Sequence, residues 1–205
     1  MASLVAAEPT LLTRVAGMLL HPHREWAIVA AEDSDARNIF MRYALPLIAT
    51  VTVGGFIGAA VYGPNVLGIP LALGTAETIV GVLVSFVLMV VTYHAMVMLS
   101  DSVVAKLGSE ATFTQSFKLV TYSCTPTWLI LAVVAMVPPL RFLMVGVFWT
   151  TWLAWIGTHV VMGMQGRQAV RYLVTLLIGS AVLYSLLLFL ILMQFNVLRS
   201  MGIIA

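Results

Sequence analysis

Two histidines, one cysteine and a short polar run are the side chains whose types could do chemistry inside the apolar stretches of this sequence. His94 lies six residues before Ser100, His159 six before Gln165, and Cys124 six after Lys118. If each stretch is helical and ends at those polar boundaries, all three groups sit about 9 Å inside the same edge, at about 1.5 Å per residue. Two imidazoles and a thiol at one depth could bind a metal, since both are soft-to-borderline ligands. Histidines on two helices could also hold a haem axially or pass protons. The helical faces favour a plainer role. His94 is two residues, about 200°, from Thr92 on the small-residue face of its helix, and His159 stands in the same relation to Gly157. Both rings then lie on bulky faces, where amphipathic side chains reach toward the headgroups. A structural or interfacial role comes first, proton or ion handling second, and metal or haem third; neither a metal nor a cofactor is expected.

The polar run Tyr122-Ser123-Cys124-Thr125-Pro126 is the other candidate. Thr112 and Gln115 have capping-box spacing, so a helix starts there and carries Phe113 and Phe117 one turn apart. Pro126 removes a backbone donor and crowds the carbonyl four residues earlier, that of Tyr122. The spacing predicts a kink with Tyr122 as its polar handle, and Ser123 and Thr125 can hydrogen-bond the freed backbone groups. Glu77, near the start of an apolar stretch, could be a cation or proton site, but a carboxylate in the first turn of a helix is favoured by the macrodipole alone. No Gly-x-Ser-x-Gly, His-Glu-x-x-His or Gly-rich phosphate loop occurs. The single cysteine excludes an intrachain disulfide and a cysteine-based zinc ribbon. No enzyme is expected.

The elements that must position these groups follow from composition. A chain of 205 residues that is 61% hydrophobic and 9% charged, with mean hydropathy +1.06, is not a soluble globule, in which charged residues make up about a quarter. The net charge of +2 and the lack of a basic patch exclude a nucleic-acid partner. Five apolar stretches, about Tyr43–Val61, Thr75–Leu99, Lys118–Val137, Arg141–Met164 and Arg171–Phe195, each reach the roughly 20 residues that cross an apolar core of about 30 Å. Pro138-Pro139 makes an antiparallel hairpin of the third and fourth. The expected fold is an all-α integral membrane protein with five transmembrane helices and short N-terminal interfacial helices.

Before the first span, Leu12, Val15, Ala16 and Leu19 recur at helical spacing, His21-Pro22-His23 breaks that helix, and Trp26, Val29 and Ala30 give a second short face. Neither segment is long enough to cross, and both read as lying on the membrane surface, with packing on the protein's own end as the other possibility. Residues 1–10 read as a loose tail without the basic and apolar regions of a cleavable signal peptide. The organisation expected is 1–42 as a cytoplasmic or interfacial segment, 43–196 as the five-helix membrane unit, and 197–205 as a short tail outside. Of the ten Lys and Arg residues, eight fall on the N-terminal side of the membrane and only Arg141 and Arg199 on the other, which places the N-terminus in the cytoplasm. Gly54-x-x-x-Gly58, with Gly55 beside it, and the Thr150, Ala154, Gly157 face are surfaces for close helix packing, within one bundle before dimerisation.

Three segments together resemble the Yip family, the Ypt/Rab-interacting membrane proteins, in its bacterial branch. They are His21-Pro22-x-x-x-Trp26, Tyr43-x-x-Pro46, and Ser116-Phe117-Lys118 leading into Tyr122-Ser123-x-Thr125-Pro126-x-Trp128. The resemblance covers roughly residues 12–195. It implies the five-span fold and the Tyr122/Pro126 site. Eukaryotic relatives are associated with vesicle trafficking and Rab-type GTPases and carry an acidic Asp-Leu-Tyr-Gly-Pro motif before the first span. Here Tyr62-Gly63-Pro64 follows that span without the acidic start, a departure that removes the basis for GTPase binding. Two functions stay open. One is a non-enzymatic membrane protein that organises membrane or recruits partners, its contacts being the lipid bilayer and a membrane-protein partner or homo-oligomer. The other is a small transporter or channel for an ion, proton or lipid.

Overall fold

Local signals set the helix boundaries. The computed structural model describes residues 10–66 and 69–200, the side chains at 69 and 195–200 excepted. The expected loose N-terminal tail and most of the tail at 197–205 lie outside the described residues. Thr10 caps α1 (Leu11–Leu20) by accepting from the Thr13 N–H, and Pro22 opens α2 (Pro22–Ala31) in its first turn, where its missing N–H costs nothing. The first span starts at α3 (Ala36–Ile39), earlier than Tyr43, and runs through a π turn at Phe40–Ala44 into α4 (Leu45–Tyr62). Pro46 explains the π turn. It cannot donate to Arg42, so the ladder slips and the Leu45 N–H reaches the Phe40 carbonyl.

Gly63, at φ 79°, ends α4, and a two-stranded antiparallel stub, β1 (Asn65–Val66) with β2 (Ile69–Pro70), leads to α5 (Thr75–Lys106). The sequence closes this span at Leu99, but the helix continues. Ser100 hydrogen-bonds the Tyr172 hydroxyl at 2.6 Å and is buried against a neighbouring helix instead of marking a solvent boundary. The expected capping box at Thr112 is present, opening α6 (Phe113–Ser123), and α7 (Thr125–Met136) restarts after a break at Cys124. The fourth span is not one α-helix. Pro138 and Pro139 cannot donate, the first closing bond runs from Leu140 N–H to the Val137 carbonyl, and the tight geometry persists over Pro138–Val147 before α8 (Phe148–Val160). The last span is α9 (Gly166–Ser200).

Among the described residues five helical runs are long and apolar enough to cross a membrane: Ala36–Tyr62, Thr75–Lys106, Phe113–Met136, Pro138–Val160 and Gly166–Gln194. The protein is an all-α polytopic membrane protein, and its outward apolar faces contact lipid. The third span is the axis of the bundle: 67% of its most apolar stretch is buried, against 28% or less in the other four. Its main neighbour is the first span. A Cβ on Gly54 would fall on the Ala132 carbonyl oxygen and one on Gly58 on that of Ala135. The small-xxx-small pair therefore packs within the bundle, with α4 and α7 running parallel. α5 and α9 pair antiparallel, Gly179 receiving Leu99.

Candidate functional site

The break in the central span gathers a set of buried polar groups at one end of the bundle, Arg14, Glu25, Lys118, Ser123 and Thr125 among them. At Pro126 the Tyr122 carbonyl loses its helical donor, and the Thr125 hydroxyl replaces it at 2.7 Å. That hydroxyl has a single hydrogen, so at its second contact, 2.8 Å from Tyr43, it accepts from the tyrosine. A directional relay results, from Tyr43 O–H to Thr125 and from Thr125 to the Tyr122 carbonyl. The kink is therefore held by a side chain of the first span. Ser123, expected to share this task, has no hydrogen-bond partner for its buried hydroxyl among the described residues.

The Tyr122 ring, 5% exposed, is enclosed by two other rings and a guanidinium. Tyr43 lies 4.7 Å away between centroids, Trp26 lies 6.2 Å away and perpendicular, and the Arg14 guanidinium sits 5.7 Å over the ring face. Arg14 is itself buried. It donates to Glu25 Oε1 at 2.7 Å and to Glu32 Oε1. Lys118 enters from α6, its ammonium donating to the carbonyls of Val29 at 2.9 Å and Glu32 at 2.5 Å, the unpaired acceptors at the end of α2. Two cations and two carboxylates make the cluster neutral, the condition under which buried charge is tolerated. Burial by itself would lower the Arg14 pKa; the hydrogen bond and charge of Glu32, with Tyr122 and Glu25 behind them, reverse this and hold it above its usual value.

This cluster fixes the two short N-terminal helices. Met18, Trp26 and Val29 are fully buried, and the Trp26 ring fits the gap left by Gly157 of α8, where a Cβ would meet it at 2.8 Å. α1 and α2 are therefore part of the bundle's core at this end as well as lying across it, and packing on the protein's own end, the other possibility in the sequence, is what the side chains make. A second layer continues inward, with Tyr93 bonded to Thr121 at 2.5 Å and its ring 5.7 Å from Trp128 and from Phe117.

The other expected site residues are not gathered here. His94 Nδ1 donates to the Val90 carbonyl at 2.8 Å and packs on Phe40, while His159 does the same with the Trp155 carbonyl and ring. Each imidazole is thus engaged one turn back on its own helix. Among the described residues no three His, Cys, Asp or Glu side chains form a metal-holding group. Glu77 accepts from the Gly74 N–H at 3.0 Å, so its carboxylate caps the first turn of α5. Cys124 points away from Tyr122, with Sγ 3.9 Å from the Tyr184 hydroxyl, onto a half-enclosed cavity of about 510 Å³ among α4, α5, α7 and α9. Tyr93, Ser85, Gln194 and many apolar side chains line it, and Tyr122 does not.

Arg14, Glu25, Glu32 and Lys118 were legible in the sequence only as charges flanking apolar segments. One signal could have found the site. Each of the three segments that carry the family resemblance contributes one ring, Trp26, Tyr43 and Tyr122, to a single contact set.

Compared with known protein families, the chain matches the one described as Yip1 domain over residues 16–190. No curated protein and no solved structure matches it.

Proposed function

Since the chain belongs to the Yip1-domain family, which its match covers for most of its length, we propose that it is a non-enzymatic membrane protein that organises membrane or recruits protein partners through its N-terminal helices. The observation that carries this reading is the sealed junction at Tyr122. Arg14, Trp26 and Lys118 clamp α1 and α2 onto the break in the central span, so the exposed face of those helices, with Leu12 and Leu20, is presented on a rigid support. A sealed, internally paired cluster suits a structural joint better than a pathway. In this reading residues 1–42 are the peripheral segment in the cytoplasm and 43–196 the membrane unit. Residues 197–205 lie outside, the membrane is a bacterial inner membrane, and Tyr122, Ser123, Thr125 and Pro126 serve as the joint. Affinity capture of the full chain from mild detergent tests it. A reproducible protein partner or a homo-oligomer, lost on Arg14→Met, is expected; recovery of only the bare protein counts against it.

A small transporter or channel for an ion, proton or lipid is the second reading, supported by the half-enclosed cavity that reaches Tyr93 and Cys124. Against it, both histidines spend Nδ1 on their own helices, and Tyr122 is shut off from that cavity. Flux into liposomes that changes on replacing Tyr122 and both histidines supports transport. Flux that is absent, or indifferent to them, rules it out.

A further inference from the structure

The cavity on the far side of α7 has a chemistry of its own. It extends along α9 from Tyr184 to Gln194, ten residues, or about 15 Å of helix. Its 510 Å³ falls in the range of small-molecule sites, roughly 300–1,000 Å³. Phe86, Met89, Leu131 and Leu188 are among the apolar side chains around it. Gly55 widens it, because its missing side chain leaves only Val82 at 3.7 Å. Between spans that cross a bilayer, such a half-enclosed apolar space faces hydrocarbon, and its walls recover dispersion contacts only when chain-like matter fills it.

One polar group points to what the occupant carries at its end. Gln194 is 7% exposed and lines the cavity. Its Nε2 donates to Ser85 Oγ at 3.1 Å and to the Ile191 carbonyl at 3.0 Å. The second contact fixes the amide, since a flip would set oxygen against oxygen. Oε1 is then an acceptor without a hydrogen-bond partner among the described residues. A buried acceptor of this kind calls for a donor. We infer that this cavity holds one acyl chain of a membrane lipid whose head group presents an O–H or N–H to Gln194 Oε1, the chain running toward Cys124 and Tyr93. The inference stands apart from partner recruitment, which rests on the opposite end of the bundle.

Photolabelling tests it. The full chain is reconstituted in phosphatidylcholine vesicles, whose head group has no donor, doped with a monoacylglycerol bearing a diazirine on its acyl chain. A matching probe with both hydroxyls methylated is run beside it. Labelling is expected on the peptides around Ser85, Tyr93 and Leu188, and it falls about tenfold or more in Gly55→Phe, whose ring takes the chain's place. Leu131→Trp fills the same space from α7 and gives the same result should Gly55→Phe not fold. The hydroxyl probe labels about three- to tenfold more than the methylated one, the yield of one buried hydrogen bond, and Gln194→Leu abolishes that preference. Labels spread over the outward residues Val87, Val91, Ile178 and Val182 and indifferent to both filling variants would overturn the chain site. Equal labelling by the two probes in the unaltered protein would overturn the role of Gln194.

Discussion

Replacing Arg14 by Met should release α1 and α2 from the bundle without unfolding it. The substitution keeps an unbranched side chain of similar reach but removes both ion pairs, to Glu25 and to Glu32, and the guanidinium over Tyr122. Breaking a buried pair by deleting one partner costs about 3–5 kcal/mol, because the remaining charge stays buried. Glu32 is 28% exposed at its side chain and can be rehydrated, whereas Glu25, at 11%, cannot without movement. The cost therefore lies near the lower end, about 3 kcal/mol, or about a hundredfold in an opening equilibrium. Hydrogen–deuterium exchange in lipid nanodiscs reads it directly. Amides of Leu11–Ala31 should exchange about a hundredfold faster, while those of Thr125–Met136 stay unchanged. The double variant Arg14→Met, Glu25→Gln leaves one carboxylate, Glu32, to balance the Lys118 ammonium and should recover most of the protection. If Arg14→Met exchanges like the unaltered protein, or the double variant is no better than the single one, the charge cluster is not what holds these helices.

The remaining expectations concern the same joint and the helix interface beneath it. Lys118→Met strips the end of α2 of its two donor contacts and should cost about 2 kcal/mol, seen as faster exchange of the last α2 amides while the rest of α6 keeps its protection. Tyr43→Phe removes the donor to Thr125 but leaves the Thr125 bond to the Tyr122 carbonyl; a loss of about 1 kcal/mol in a denaturant titration is expected, and a loss equal to that of Thr125→Val would refute the directional relay. Gly58→Ala should lower the thermal midpoint in detergent by the equivalent of about 1–3 kcal/mol, because its Cβ would fall on backbone, the Ala135 carbonyl first and the Met136 oxygen at 3.3 Å, while Gly55→Ala, facing Val82, should be close to neutral.

Much of the fold follows from near-neighbour rules. The capping box at Thr112 and Gln115 and the break before Pro126 involve residues three and four apart, and both are where the spacing puts them. The packing role of Gly54 and Gly58 was legible for the same reason: small residues one turn apart make a groove whatever fills it. The fourth span and the end of the second were misjudged where a local pattern had two outcomes. Two prolines can end a turn or begin a tight helix, and a serine can face water or, as Ser100 does, a tyrosine on another helix.

Hydropathy by itself determined that this chain has five apolar spans, because every residue of a spanning helix must satisfy the same solvent, and that requirement is written into each stretch separately. The tertiary structure decided that the third span is the axis. It also decided that the charges of Arg14, Glu25, Glu32 and Lys118 turn inward to one another. These pairings join residues from 11 to 89 positions apart. A charge that ends a helix in solvent and one that closes a neutral buried cluster have the same local sequence. Only the fold supplies the partner that makes burial affordable.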